Sequence, residues 1–238
     1  MTTFRVLLFL KLMCFTLNSM AQPNKLVSHV TDPKTILLPG KSSGATNPLS
    51  KYVRNMLDKS YENLGFNVEH YGYPMGRGIV EANAGRIDGI LVRVEGVSKE
   101  YPNLVKVPYP LATFEILLVT DPATCHPCDV NALDNVATVK GFKAFEYYLA
   151  KTPFNPIVTE VFNMKRLLDM LSSGRVHGVV LPFHKDSGIQ LNENWSTQVI
   201  DVYASYHYVH KKHAKLIPLL HEQFKMLEKE FKHPQASH

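Results

Sequence analysis

Arg93 follows directly on the apolar run Ile90-Leu91-Val92 and is followed two places on by Glu95. A guanidinium presented at the end of a buried strand can hold a carboxylate through two parallel hydrogen bonds. Lys140-Gly141-Phe142 suggests a second kind of anion site. There a glycine turn leads from a strand into a helix start, where free backbone N–H groups and the positive end of the helix dipole face a ligand. Lys41 after Pro39-Gly40, Arg77, and Asn163 after Val161-Phe162 are further polar residues near predicted strand ends and turns. Tyr71 and Tyr73 have the ring faces to stack on an apolar or cationic ligand. Each residue also has a plainer reading: Arg93 paired with Glu95 at the surface, and the tyrosines packed within the protein.

Other reactive residues point away from catalysis. Cys125-His126-Pro127-Cys128 would close a small disulfide loop in an oxidising compartment. A thioredoxin-like redox centre is the alternative, because the strand pattern Ile116 to Thr120 precedes it. His207, His210 and His213 lie close together, but Lys211 and Lys212 sit between them, which disfavours a metal site. Lys41-Ser42 after Gly40 has the tail of a phosphate loop, yet position 35, where that loop needs glycine, is threonine. No GxSxG elbow, HExxH pair or glycine-rich nucleotide loop is present. We therefore expect no catalytic residue, no metal and no cofactor.

The elements that must position these residues come in two copies. The first is a strand (Phe66 to Tyr71), a helix (Gly78 to Ala84), Gly85-Arg86, and an apolar strand (Ile87 to Val92). The second is Ile157 to Phe162, Lys165 to Ser173, Gly174-Arg175, and Val176 to Leu181. Asp88 aligns with His177 and Gly89 with Gly178. Strand, crossover helix and strand make a right-handed βαβ unit, and two such units predict two lobes with a cleft between them. A strand at Thr35 to Leu38 precedes the first copy. A helix capped by Asn47-Pro48 follows, with the stripe Leu49, Tyr52, Val53, Met56 and Leu57. Leu104 to Val107, Phe114 to Thr120 and Val136 to Val139 read as further strands. Phe142, Phe145, Tyr148 and Leu149 mark one face of a helix. Gln198 to Tyr208 reads as a strand returning to the first lobe, and His213 to Phe231 as one long helix.

The chain has 238 residues, a formal net charge of +5 at pH 7 and scattered lysines and arginines. Such a mild excess without clusters does not suggest nucleic acid. Residues 1–21 read as a secretory signal: Arg5, an apolar stretch from Val6 to Leu17, then Ser19-Met20-Ala21 before Gln22.

The segments NLGFNVEHY, EANAGRIDGILVRVEGVSKEYPNLVKVPYPL, LLDMLSSGRVHGVVL and YHYVHKKHAKLIPLL together resemble the extracellular solute-binding proteins of family 3. The resemblance implies the type 2 periplasmic binding protein fold, α/β and two-lobed, with two crossing hinge strands. Its lobes would be 22–117 plus 201–238 and 118–200. It also implies a monomeric periplasmic protein, not inserted in the membrane once cleaved, closing on an amino acid or other small carboxylate. The partner would be an ABC-transporter permease or a membrane receptor. Ligand-binding residues are then expected among Arg93, Tyr71, Tyr73, Glu95, Lys140, Gly141, Phe142 and Asn163. Two positions depart from the pattern. Glu100 stands where the resemblance implies an arginine for the ligand carboxylate, and Pro182 where it implies an aspartate for the ammonium.

Overall fold

The computed structural model describes residues 34–40, 47–73, 75–125 and 129–231. The expected signal segment 1–21, Lys41, His126 and Cys128 lie outside the described residues, and so does the proposed Cys125–Cys128 pairing.

Strand β1 (Thr35–Pro39), helix α1 (Pro48–Asn63) and strand β2 (Asn67–Tyr71) open the fold, with β1 and β2 paired in parallel. Asn47 caps α1, its side-chain oxygen accepting from Ser50 N at 2.8 Å, and Pro48 occupies the first turn. Helix α2 (Met75–Asn83) then leads to β3 (Gly89–Val94). After the short α3 (Val97–Glu100) comes the 17-residue strand β4 (Leu104–Thr120). The second copy comprises β5 (Asn135–Val139), α4 (Lys143–Leu149), β6 (Ile157–Val161), α5 (Met164–Ser172) and β7 (Gly178–Phe183). The 15-residue strand β8 (Ser196–His210) and helix α6 (Ile217–Leu227) complete the chain. None of the described helices is long and apolar enough to cross a membrane.

The two copies close their helices identically. Gly85 and Gly174 take positive φ values of 76° and 65°. The following amides reach back across the last turn, Arg86 N to Glu81 O at 3.1 Å and Arg175 N to Met170 O at 3.0 Å. Only a residue without Cβ enters this left-handed turn at no steric cost.

Three sequence boundaries shift. Arg93 does not follow β3 but lies inside it, opposite Tyr206, because β8 supplies ladder partners through Val94. The segments 104–107 and 114–120 are one strand. Pro108 and Pro110 interrupt the β4–β8 register without ending it, since a residue lacking an N–H is accommodated at a bulge. The last helix begins at Ile217, not His213. Lys211–Leu216 form a 3-10 segment in which His213 has non-helical φ, ψ of −106° and 15°, while Pro218 pre-forms the first α-helical turn.

β4 and β8 run antiparallel through the six-stranded sheet, whose order is β3-β8-β4-β7-β5-β6. Around them the apolar side chains separate by half and by face. Ile36 and Leu38 of β1 pack with the α1 stripe and with Leu220 and Phe224 of α6. Leu37 turns to the opposite face with Ile79, Ile90 and Tyr208. In the other half Ile116 and Leu118 meet Phe145 of α4, while Leu117 and Val119 meet Leu167 and Leu171 of α5. The alternation is the period-two pattern of strands buried on both faces. It divides the described residues into two lobes joined by the crossing strands.

Asp88 fastens the first lobe. Its carboxylate accepts from Leu37 N at 2.7 Å, Lys212 Nζ at 2.7 Å and His213 Nε2 at 2.6 Å. Burial pushes its pKa up, but the hydrogen bonds from His213, Lys212 and the Leu37 amide outweigh that and hold it down at about 2.

Candidate functional site

In α/β sheets ligands collect beyond the carboxyl ends of the strands, and the predicted residues are distributed there. Tyr71, at the end of β2, donates its hydroxyl to Glu69 Oε2 at 3.0 Å. Tyr71 and Tyr73 pack half-buried on the cluster of Leu37, Ile79 and Ile90. Lys140 and Gly141 lie in the β5–α4 turn, with Gly141 at φ 77° and the Lys140 ammonium 5.4 Å from the centre of the exposed Phe162 ring. Phe142 is buried, contacting Phe145 and Tyr203 at centroid distances of 6.2 and 6.0 Å. Asn163 caps α5, accepting from Arg166 N at 2.8 Å.

Arg93 and Glu95 part company. Arg93 Nη1 donates to Val92 O at 2.7 Å, and burial lowers the pKa of the guanidinium. Glu95 instead bonds Lys106, which lowers the pKa of its carboxyl, and the Lys106 ammonium also sits 4.5 Å above the centre of the Tyr206 ring. The surface pair Arg93–Glu95 does not form.

Beside the crossing strands the two lobes line a half-open cavity of about 300 Å³. Val94 and Glu95 at the end of β3 form one wall, and Tyr147 and Tyr148 of α4 the other. Asp201, Tyr203 and Tyr206 of β8 lie along it as well. Gly96, at φ 98°, lets the chain turn against Tyr147, since a Cβ there would lie 3.2 Å from that ring. The lobes also touch through Glu100, whose Oε1 lies 3.3 Å from Lys143 Nζ and accepts from Tyr147 Oη at 3.4 Å. Of the predicted residues, only Glu95 lines this cavity; Arg93, Tyr71, Tyr73, Lys140, Gly141, Phe142 and Asn163 do not.

Sequence reasoning missed Tyr147, Tyr206 and Asp201. The available signal was the dense tyrosine content of DVYASYHY on a strand already read as crossing between lobes. Asp201 sits where the β4–β8 register shifts, between Ile116 and Leu117, and its Oδ1 accepts from its own neighbour Val202 N at 2.8 Å. Burial pushes the Tyr203 hydroxyl well above its ordinary pKa. Burial also raises the pKa of Tyr148, helped by the Asp201 charge.

The three histidines go separate ways. His207 is fully buried, its Nε2 2.8 Å from Tyr61 Oη and its Nδ1 2.7 Å from Ile90 O. Burial pulls its pKa down to about 4 against the two backbone carbonyls that favour the proton. It is therefore the neutral ring, with Nδ1–H donating to the carbonyl and Nε2 accepting from tyrosine. His213 holds Asp88, and His210 accepts from Lys212 N through Nδ1 at 3.3 Å. Among the described residues no group of three metal-ligating side chains converges.

No protein-family model and no curated protein sequence matches the chain. Solved structures do. The amino acid ABC transporter substrate-binding protein AbpA of Streptococcus pneumoniae, bound to L-arginine, is 12% identical over 83% of this chain and 90% of its own, with a TM-score of 0.62. A histidine kinase sensor domain with similarity to periplasmic binding proteins is 15% identical over 84% and 92%, at 0.61. The ancestral amino acid-binding protein AncCDT-1, a precursor of cyclohexadienyl dehydratase, is 12% identical over 83% and 91%, at 0.63. At these identities the likeness concerns the path of the chain, and it agrees with the paired βαβ units and the two crossing strands. The chain has the two-lobed, type 2 periplasmic binding protein fold.

Proposed function

We propose that this chain is an exported binding protein that captures a small polar solute, of amino-acid size, between its lobes. The observation that carries the reading is the cavity of about 300 Å³ walled by β3 of one lobe, α4 of the other and crossing strand β8. That volume is at the lower end for ligand pockets, about 300–1,000 Å³, and a space walled by both lobes changes whenever they move. The register break between Ile116 and Leu117, opposite Asp201 and Val199, supports lobe boundaries of 22–117 with 201–238 and 118–200. Export and a Cys125–Cys128 disulfide belong to the same reading and rest on the sequence.

Delivery to an ABC-transporter permease is the first partnership proposed, in keeping with AbpA. Reporting to a membrane receptor is the second, favoured by a histidine kinase sensor domain of the same fold. We read the chain as a binder and not an enzyme, because polar groups near the strand ends, such as Asn163 and the helix-start Lys143, are engaged in capping and ion pairing.

A thermal-shift panel of amino acids, small carboxylates and polyamines tests the proposal, since a ligand at 100 times its Kd stabilises the folded state by about 2.7 kcal/mol. We expect at least one compound to raise the Tm and to reduce the radius of gyration in solution scattering. A panel with no hit and an unchanged radius would argue for a rigid protein of other function.

A further inference from the structure

We infer that the interlobe cavity takes an organic ammonium ion with an apolar body, anchored by Asp201 and framed by tyrosine rings. The inference rests on the solute-binding reading and names a ligand class for this cavity. The cations near the cavity are unevenly committed. Lys106 is bonded to Glu95 and lies over Tyr206. Lys151, which does line the cavity, acts on Glu95 and lowers its pKa. Asp201 forms no ion pair among the described residues; its one hydrogen bond comes from the amide of Val202. It is thus an exposed carboxylate on the wall with acceptor capacity to spare, since an ionised carboxyl has about four lone-pair sites.

The surrounding walls suit the same chemistry. Tyr147, Tyr148, Tyr203 and Tyr206 line the cavity, and aromatic faces attract cations through the ring quadrupole. The protein already displays this arrangement once, in the Lys106 ammonium held between the Glu95 carboxylate and the Tyr206 face. Asp201 and Tyr148 line the same cavity and offer a carboxylate and a ring of the same kinds, with no cation paired to Asp201 among the described residues. A ligand carboxylate, by contrast, would meet Glu95 and Asp201 together, with only Lys151 on the lining to oppose them. The replacement of the expected arginine by Glu100 runs in the same direction.

Titration calorimetry on the mature protein with phenethylamine, 3-phenylpropionate and L-phenylalanine separates the possibilities. Phenethylammonium is expected to bind and 3-phenylpropionate to give no heat. Asp201→Asn, nearly isosteric, should weaken the amine about tenfold or more while the apo Tm stays unchanged. Tyr147→Phe should keep affinity, and Tyr147→Leu should lose severalfold, as a ring-face contact requires. Binding of 3-phenylpropionate as tight as the amine would overturn the inference, and so would amine binding indifferent to Asp201→Asn. Absence of amine binding would overturn it too. In that case a hit elsewhere in the solute panel would leave the binding-protein reading standing, whereas no hit at all would remove both.

Discussion

Glu100, at the end of α3 in one lobe, faces Lys143, at the start of α4 in the other, with Oε1 and Nζ 3.3 Å apart. Lys143 Nζ also lies 2.8 Å from Glu146 Oε2, and its pKa is raised first by Glu146 and then by Glu100. The position that departs most clearly from the expected carboxylate clamp therefore joins the lobes directly. An exposed pair contributes about 0.2–1 kcal/mol, which is negligible for folding but enough to bias an opening equilibrium a few-fold. Glu100→Gln should enlarge the mean interlobe distance of the apo protein, measured by spin-label or fluorescence ranging, with the Tm unchanged. High salt should reproduce the effect in the unmodified protein and add nothing to the variant.

His207 makes acid the weak side of this fold. Its folded pKa, about 4, lies below the ordinary 6.5, so the unfolded chain binds a proton the folded chain refuses. Stability is full above pH 6.5 and declines as pH falls toward 4, by a total of about 3 kcal/mol. Urea titrations at pH 7, 5.5 and 4.5 should show this slope. Tyr61→Phe should cost about 1–3 kcal/mol at pH 7, because it leaves buried Nε2 without its donor. An unchanged midpoint would refute the Tyr61–His207 hydrogen bond.

Asp88 works in the same sense, in a lower window. Its folded pKa of about 2 lies below the ordinary 3.8, so its contribution is complete above pH 3.8 and disappears as pH falls through 2. The linked stabilisation is about 2 kcal/mol. Asp88→Ala should cost about 3–5 kcal/mol, since His213 and the Leu37 amide lose their acceptor and Lys212 keeps only the Gly85 carbonyl. A loss below 1 kcal/mol at pH 7 would show that water replaces the carboxylate freely.

The aligned glycines of the two copies should tolerate alanine unequally. A Cβ on Gly89 would lie 2.4 Å from the Tyr208 carbonyl oxygen, which belongs to backbone and cannot move aside. A Cβ on Gly178 would meet side-chain methyl groups of Leu133, Leu118 and Thr120, at 3.0, 3.1 and 3.3 Å. Gly178→Ala should cost about 1–2 kcal/mol and Gly89→Ala about 3 kcal/mol or more. Denaturant midpoints of the two variants give the order directly.

Arg93 lies within β3 and outside the lining of the interlobe cavity, and a role for it as anchor of a carboxylate-bearing ligand is a separate proposal with its own test. Loss of a desolvated charge-assisted pair costs about 2–5 kcal/mol, so Arg93→Ala should weaken such a ligand by roughly thirtyfold or more. Affinity within about threefold of the unmodified protein would dismiss the role. Binding of phenethylammonium in the neighbouring cavity should not depend on it.

Periodicity and local stereochemistry determine much of this protein by themselves. The α1 stripe, the Asn47-Pro48 cap, the Gly-Arg helix ends and the period-two strands are short-range features, written in residues within a few positions of one another. Their duplication around Asp88 and His177 was enough to predict two lobes, while the pair of crossing strands was implied by the family resemblance. The path of the chain through Pro108 and Pro110 was not legible in this way, because the pairing partner that sustains β4 lies on β8, far along the sequence. The same holds for the charges. Lys106 takes Glu95 away from Arg93, Lys143 binds Glu100, and Asp201 reaches the tyrosines of α4 only after the sheet has formed. Whether a polar side chain faces a ligand or an internal partner depends on distances of a few ångströms between distant elements. Those distances are set by packing of the tertiary structure, not by the identity of the residue.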